Sequence, residues 1–257
     1  MTSKKALLSS KNLQKKFGAV VAAQDICVDI QSGERVSLIG SNGAGKTTFV
    51  NMITGYLKPD SGVIEFDNSD ITALSPRQIT HLGVARSFQI PQLYPALTVI
   101  ENMLVAMACH ENKLSMWRPS SNKEHLARGA DLLHRFGLSQ HSHRRVKELP
   151  GGIRKLLDIA LAMTGSPKLL LLDEPTSGVS AEEKFPMMDT IMRVLGNDPL
   201  TAMFVEHDMD IVRRYADRVI AFYSGRIIAD AAPDLALAND DVRRYVTGEL
   251  RQEASHA

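Results

Sequence analysis

The residues best suited to chemistry lie in Gly40-Ser41-Asn42-Gly43-Ala44-Gly45-Lys46-Thr47-Thr48. Gly40, Gly45, Lys46 and Thr47 fill every fixed position of the pattern G-x-x-x-x-G-K-[ST]. Its glycines let the backbone take positive φ and approach a ligand closely. Successive N–H groups then point into one concavity, to which a following helix adds its positive pole. Lys46 brings a full charge to the β- and γ-phosphates, and the Thr47 hydroxyl is placed to ligate Mg²⁺. A second set closes a run of leucines, where residues 169–172 lead into Asp173-Glu174-Pro175. Four apolar residues bury such a strand and leave two carboxylates at its C-terminal edge, the edge where open α/β sheets bind ligands. There Asp173 can hold Mg²⁺ through its hydration shell. Glu174 can orient or deprotonate an attacking water, a contribution on the order of 10²–10⁴ in rate.

These groups need a scaffold, and the flanking sequence supplies one. Residues 35–39 read as a short, mostly apolar strand before the glycine loop, and 48–54 as the first turns of a helix stopped at Gly55. Residues 6–37 read as strands with a turn at Ser32-Gly33. Pro59-Asp60-Ser61-Gly62 is a turn into the alternating strand 63–67. Ser75 with Pro76 opens a helix, 84–89 returns to strand, and 99–109 is helical. Residues 112–122 read as a loop. A helix over 123–136 carries Leu126, Ala130, Leu133 and Phe136 on one face, and another helix covers 152–163. Residues 168–172, 201–205 and 219–223 are buried strands, Ser224-Gly225 is a hairpin turn, and 234–250 is helical. The expected fold is α/β: a P-loop core with a mainly parallel sheet, an N-terminal antiparallel β subdomain and an inserted α-helical subdomain. The expectation is a single domain over 1–250. Within it, 1–90 and 164–234 form the core with the β subdomain, 91–163 the helical part, and 235–257 a C-terminal helix and tail.

Composition narrows the function classes. With 30 basic and 29 acidic residues among 257, the net charge is +1, so nothing in the balance calls for a nucleic acid or an anionic membrane as partner. Two cysteines, Cys27 and Cys109, make no disulfide framework, and Cys27 reads as a core strand residue, which suits a reducing compartment. No run of about 18 apolar residues occurs, and residues 6–8 are too short for the apolar part of a signal peptide. A cytoplasmic protein is expected, with any membrane role exercised through a partner.

The P-loop, Ser87-Phe88-Gln89, Pro150-Gly151-Gly152, Asp173-Glu174-Pro175 and Glu206-His207-Asp208 stand in the order found in ABC transporter ATPase subunits, which the chain resembles over residues 6–248. The resemblance implies the ABC ATPase fold, ATP and Mg²⁺ as cofactors, and roles for matching positions. Residues 41–48 (Ser41, Asn42, Gly43, Ala44, Gly45, Lys46, Thr47 and Thr48) would hold the phosphates. Phe17 would stack on adenine, with a core Phe as the alternative. Gln89 would contact Mg²⁺ together with Thr47 and Asp173, and would sense the membrane partner. His207 would contact the γ-phosphate, and Glu174 would act as the base. Gly151 and Gly152 match the signature glycines that face a nucleotide on the opposite subunit.

The chain also departs from that pattern. Leu149-Pro150-Gly151-Gly152-Ile153 replaces the usual Leu-Ser-Gly-Gly-Gln, and Ser177-Gly178-Val179-Ser180 stands where Ser-Ala-Leu-Asp is common. The lost serine hydroxyl, and a proline without an N–H, should weaken the composite site that uses this signature. The P-loop side is intact, so the expectation is an asymmetric heterodimer with a second, related ATPase subunit, a homodimer being the other arrangement. Residues 91–102, the loop after Ser177 and the long 110–125 loop resemble the ATPases of branched-chain amino acid importers, a subfamily that also serves amides and urea. The resemblance places residues 90–102 against the permease subunits on the cytoplasmic face of the inner membrane, and a solute-binding protein would act indirectly. A soluble, non-transport ABC ATPase is the second function class and a non-hydrolysing nucleotide-binding regulator the third, which intact Glu174 and His207 argue against. The cluster His134, His141, His143 reads as a solvated loop or a metal site, and Trp117 as a packing or partner residue.

Overall fold

The computed structural model describes residues 6–110, 123–196 and 200–248, so the expected loop at 112–122 with Trp117 and the tail from 249 lie outside the described residues. Along the chain run β1 (Leu8–Phe17), β2 (Val20–Ile30), β3 (Arg35–Gly40), α1 (Lys46–Ile53), β4 (Ser61–Phe66), β5 (Ser69–Asp70), α2 (Pro76–Leu82) and β6 (Val84–Ser87). Then follow α3 (Val99–His110), α4 (Lys123–Arg135), α5 (Gly151–Ala162), β7 (Leu169–Asp173) and α6 (Ala181–Gly196). The order closes with β8 (Thr201–Val205), α7 (Met209–Tyr215), β9 (Arg218–Tyr223), β10 (Arg226–Ala231) and α8 (Pro233–Ala238). They gather into two compact units, Met1–Thr80 with Thr201–Ala257, and His81–Leu200. The expected helical segment 91–163 falls inside the second unit, which also takes β7 and α6.

In the first unit an antiparallel sheet runs in the order β2-β1-β4-β5. β1 and β2 form a long hairpin, Leu8 opposite Ile30 and Phe17 opposite Val20. Gly18, at φ 57°, supplies the left-handed residue that so tight a reversal needs. Strand alternation sends Ile26, Val28 and Ile30 inward. The same alternation turns Cys27 outward, where its Sγ accepts the Asn12 N–H at 3.2 Å, so the expectation of a core Cys27 is corrected. In the parallel part, β3 lies between β8 and β9, and β10 runs antiparallel to β9. Every residue of β8 is buried, as is every residue of β3 after Arg35, which is why both are mostly apolar, broken only by Thr201 and Ser37. The C-terminal stretch, expected as one helix over 234–250, breaks after Ala238. Asn239 leaves helical geometry, and its Oδ1 accepts the N–H groups of Asp241 and Val242 at 2.9 and 3.2 Å, starting a new turn.

In the second unit β6 and β7 pair in parallel, Val84 opposite Leu169 and Ser87 opposite Leu172. α3, α4 and α5 supply the helical part. The face of α4 matches the expected one at Leu133 and Phe136, which are buried, and departs from it in the first turns, where His125 and Gly129 are buried while Leu126 and Ala130 are exposed. Gly129 explains the rotation, since a Cβ there would stand 3.2 Å from Ile100 Cδ1 and 3.5 Å from Met103 Cβ of α3. The helices meet where α4 has no side chain, a choice that counting apolar residues does not show.

Candidate nucleotide site

The P-loop grows out of β3. Gly40, Gly43 and Gly45 take φ of 150°, 78° and 110°. The requirement is steric at two of them. A Cβ on Gly40 would come 2.4 Å from the Phe222 carbonyl oxygen, and one on Gly45 would come 2.6 Å from that of Ala22. Neighbouring backbone from β9 and β2 therefore presses on the loop and holds its curve. Ala44 is buried; its N–H donates to Ser41 O at 3.1 Å, and its carbonyl accepts the Gly225 N–H at 2.9 Å. Ser41, Asn42 and Gly43 stay exposed, as does Thr47, while Thr48 is half-buried.

Lys46 opens α1 and is 6% exposed. Its Nζ donates to Gly40 O at 2.5 Å and to Ser41 O at 3.1 Å, so the loop curls around its own ammonium. The first turn of α1 has no acidic residue, and Gly45 gives no side-chain cap, which leaves the positive pole of the helix uncompensated. An exposed arc of backbone, a central cation and a free-standing hydroxyl at Thr47 suit a polyphosphate.

Two further candidates share this unit. The parallel register sets Leu38 opposite Val205, and the Glu206 N–H donates to Leu38 O at 3.3 Å. His207 follows at once, exposed, at the same C-terminal strand edge as Gly40. Below it, Asp208 caps α7 by accepting the Asp210 and Ile211 N–H groups at 3.1 and 3.4 Å, which fixes the backbone behind the histidine. Phe17 ends β1 with its side chain 52% exposed, not in the core. The Lys15 ammonium lies 5.8 Å from its ring centroid.

The remaining candidates lie in the second unit. β6 and β7 bring Gln89 beside Glu174, the Gln89 Nε2 donating to Glu174 Oε2 at 2.7 Å. That pose commits the amide nitrogen to Glu174 and leaves the side-chain oxygen as the atom Gln89 could offer to a cation. Glu174 sits at φ 48°, and the buried Lys155 ammonium donates to its main-chain carbonyl. Asp173 Oδ2 accepts from Arg86 Nη2 at 2.7 Å, in a pair whose side chains are only 10% and 16% exposed. The sequence reading did not single out Arg86; its signal is a charged residue inside the buried strand Val84-Ala85-Arg86-Ser87. Within this unit Gln89 and Asp173 both offer side-chain oxygen, the atom type a hard cation such as Mg²⁺ takes. Among the described residues no group of three or more His, Cys, Asp or Glu, those of the His134–His143 cluster included, stands together as a metal site.

α5 begins at Gly151, with Pro150 at the N-cap position making no side-chain cap. A Cβ on Gly151 or on Gly152 would meet nothing within 4 Å. The chain's own packing does not demand glycine there, so the helix start is sterically open. Gly151, Arg154, Ser177 and Gly178 help line a cavity of about 340 Å³ beside it. Among the described residues no helix is long and apolar enough to cross a membrane.

Comparison with known proteins gives a consistent picture. The family model described as ABC transporter matches residues 23–177. A high-affinity branched-chain amino acid transport ATP-binding protein, LivG of Escherichia coli K12, is 36% identical over 252 residues, covering 95% of this chain and 98% of that protein. The crystal structure of the ADP conformation of an ATP-binding cassette of an ABC transporter superposes with a TM-score of 0.84 at 30% identity, covering 93% of this chain and 97% of that one. A dimeric ATP-binding cassette in a post-hydrolysis state, bound to ADP and Pi, gives 0.75 at 25% identity over 88% and 98%.

Proposed function

The chain belongs to the ABC transporter family, and on that premise we propose that it is the ATP-hydrolysing cassette of an importer of branched-chain amino acids. The observation that carries the ATP reading is the P-loop closed around buried Lys46, with an uncompensated helix start behind it. The solute reading rests on likeness to branched-chain amino acid cassettes over 95% of the chain. ATPases of the same subfamily for amides or urea are the second reading, because a cassette never contacts the solute.

Each residue has a definite task in this proposal. The N–H groups of 41–48 and the Lys46 ammonium bind the triphosphate, and Phe17 offers a ring face to adenine, a contact worth about 1–3 kcal/mol for a stacked base. Thr47, Asp173 and Gln89 would hold Mg²⁺, which would supply neutralisation of charge developing on the phosphate oxygens. Glu174 accepts a proton from the attacking water. Gln89 keeps the Glu174 carboxylate in place through the 2.7 Å hydrogen bond. His207 donates to the γ-phosphate from its position beside Gly40. Residues 90–102 receive the permease subunits, placing the protein on the cytoplasmic face of the membrane. The exposed side chains of Ile90 and Tyr94, 74% and 55% accessible, support that surface. Gly151 and Gly152 serve the nucleotide of a second cassette.

Substitution Glu174→Gln tests the reading. Glutamine still accepts from Gln89 but cannot take a proton, so phosphate release in the assembled transporter should fall by about 10²–10⁴ while ATP still binds. Turnover near wild type would refute both the role of Glu174 and the idea that this chain carries the stronger site. Uptake assays with branched-chain amino acids, amides and urea separate the solute readings.

A further inference from the structure

Two buried charged side chains lie one turn apart on α5, Lys155 at 9% and Asp158 at 6% exposure. Neither touches a nucleotide in the scheme above, and charges are seldom buried without a partner that needs them there. Asp158 divides its two oxygens between the two ends of one short segment: Oδ2 accepts the Phe88 N–H at 3.1 Å and Oδ1 accepts the Gln92 N–H at 3.0 Å. The Ser87 hydroxyl is a further partner. Those residues bracket Gln89. Burial pushes the Asp158 carboxyl up, while the bonds from Ser87, Gln92 and Phe88 pull the other way. Lys155, from the same face, holds the carbonyl of Glu174. One helix thus grips the backbone on which both Gln89 and Glu174 stand, and that helix starts at Gly151-Gly152.

We propose that Asp158 is a positioning residue for Gln89: through α5 it ties the Gln89 loop to the helix start that faces a second cassette's nucleotide, so displacement of Gly151-Gly152 is felt at Gln89. The inference rests on the ATPase reading above. Its chemistry is specific. Two N–H donors need two acceptors on one rigid group, which a carboxylate provides; the amide of asparagine has one acceptor and would turn an NH₂ toward an N–H. Glutamate keeps both acceptors at a longer reach.

The test is a double-mutant cycle in the full chain, alone and in the assembled transporter, reading ATP turnover and nucleotide affinity for wild type, Asp158→Asn, Gln89→Ala and the pair. Asp158→Asn should lower kcat about tenfold and leave nucleotide Kd within about twofold. The loss should vanish when Gln89 is already alanine, and Asp158→Glu should recover part of it. An equal loss in both backgrounds, or none in the wild-type background, overturns the proposal. Hydrogen exchange in the wild-type protein supplies a reading that does not depend on a variant folding: the Phe88 and Gln92 amides should exchange slowly, and exchange there at the rate of open loops overturns it too. Wild-type protein that never hydrolyses ATP brings down the ATPase reading and this inference with it. Hydrolysis with an additive cycle brings down this inference alone.

Discussion

At the scale of single residues, Lys46 shows how a charge can organise a loop and serve a ligand. Its ammonium satisfies the Gly40 and Ser41 carbonyls at 2.5 and 3.1 Å. If Lys46 binds phosphate as proposed, Lys46→Ala removes a hydrogen-bond partner of a highly charged group, worth about 1.5–3 kcal/mol, or roughly 10- to 150-fold in affinity. Titration with a fluorescent ATP analogue should show a loss in that range, and unchanged affinity would remove Lys46 from the site. The P-loop, the acid pair and His207 were legible because each is a local pattern: residue types at fixed spacing at the end of an apolar strand. Arg86 and Asp158 were not legible, because their meaning comes from folding. Arg86 reaches Asp173 only because the β6–β7 register sets Ser87 opposite Leu172. Asp158 meets Phe88 and Gln92 across 70 and 66 residues of chain.

At the scale of elements, the apolar runs at β3, β7 and β8 were readable within a residue or two, since a strand buried on both faces has little freedom of composition. The expectation of strands over 6–37 holds for β1 and β2, and only their reversal at Gly18 carried no turn signal that the reading used. The face of α4 holds at Leu133 and Phe136 and fails in the first turns for a reason that can be tested. Apolar side chains at 126 and 130 point outward, and the close contact with α3 is made at Gly129. Gly129→Ala puts a methyl 3.2 Å from the flexible tip of Ile100, which can yield, and gains about 1 kcal/mol of helix propensity, so it should be near neutral. Gly129→Leu cannot be absorbed by that tip and should cost about 1–3 kcal/mol by overpacking. Denaturant titration of the two variants checks this, and a leucine variant as stable as wild type would mean that α3 and α4 do not meet at Gly129.

At the scale of the whole molecule, charge pairing sets acid sensitivity and the departed signature sets assembly. Asp217 accepts from Arg35 through Nε, Nη2 and the main-chain N–H at 3.0, 2.6 and 3.0 Å, and the Arg35 hydrogen bond holds its carboxyl below the ordinary value of 3.8. A depressed folded pKa means stability that is complete above the ordinary carboxylate range and is lost as pH falls through the lowered value. Asp217→Asn should therefore flatten the acid limb of a stability–pH curve. At neutral pH it should cost no more than about 1 kcal/mol, because both side chains are over 40% exposed and the pair is screened. Assembly follows from the helix start of α5. Gly151 and Gly152 keep their N–H groups open with no packing reason to be glycine, but Pro150 brings neither hydroxyl nor N–H. Two copies of this chain would each offer the other's ATP that weakened end. A related cassette with the full Leu-Ser-Gly-Gly-Gln would supply the stronger helix start to ATP held on this chain's P-loop. With Mg²⁺ and excess ATP, the Glu174→Gln protein should stay monomeric in light scattering while binding nucleotide, and should dimerise only when that second cassette is added. A stable dimer of this chain alone would show that Leu-Pro-Gly-Gly-Ile closes a site unaided and would replace the heterodimer with a homodimer.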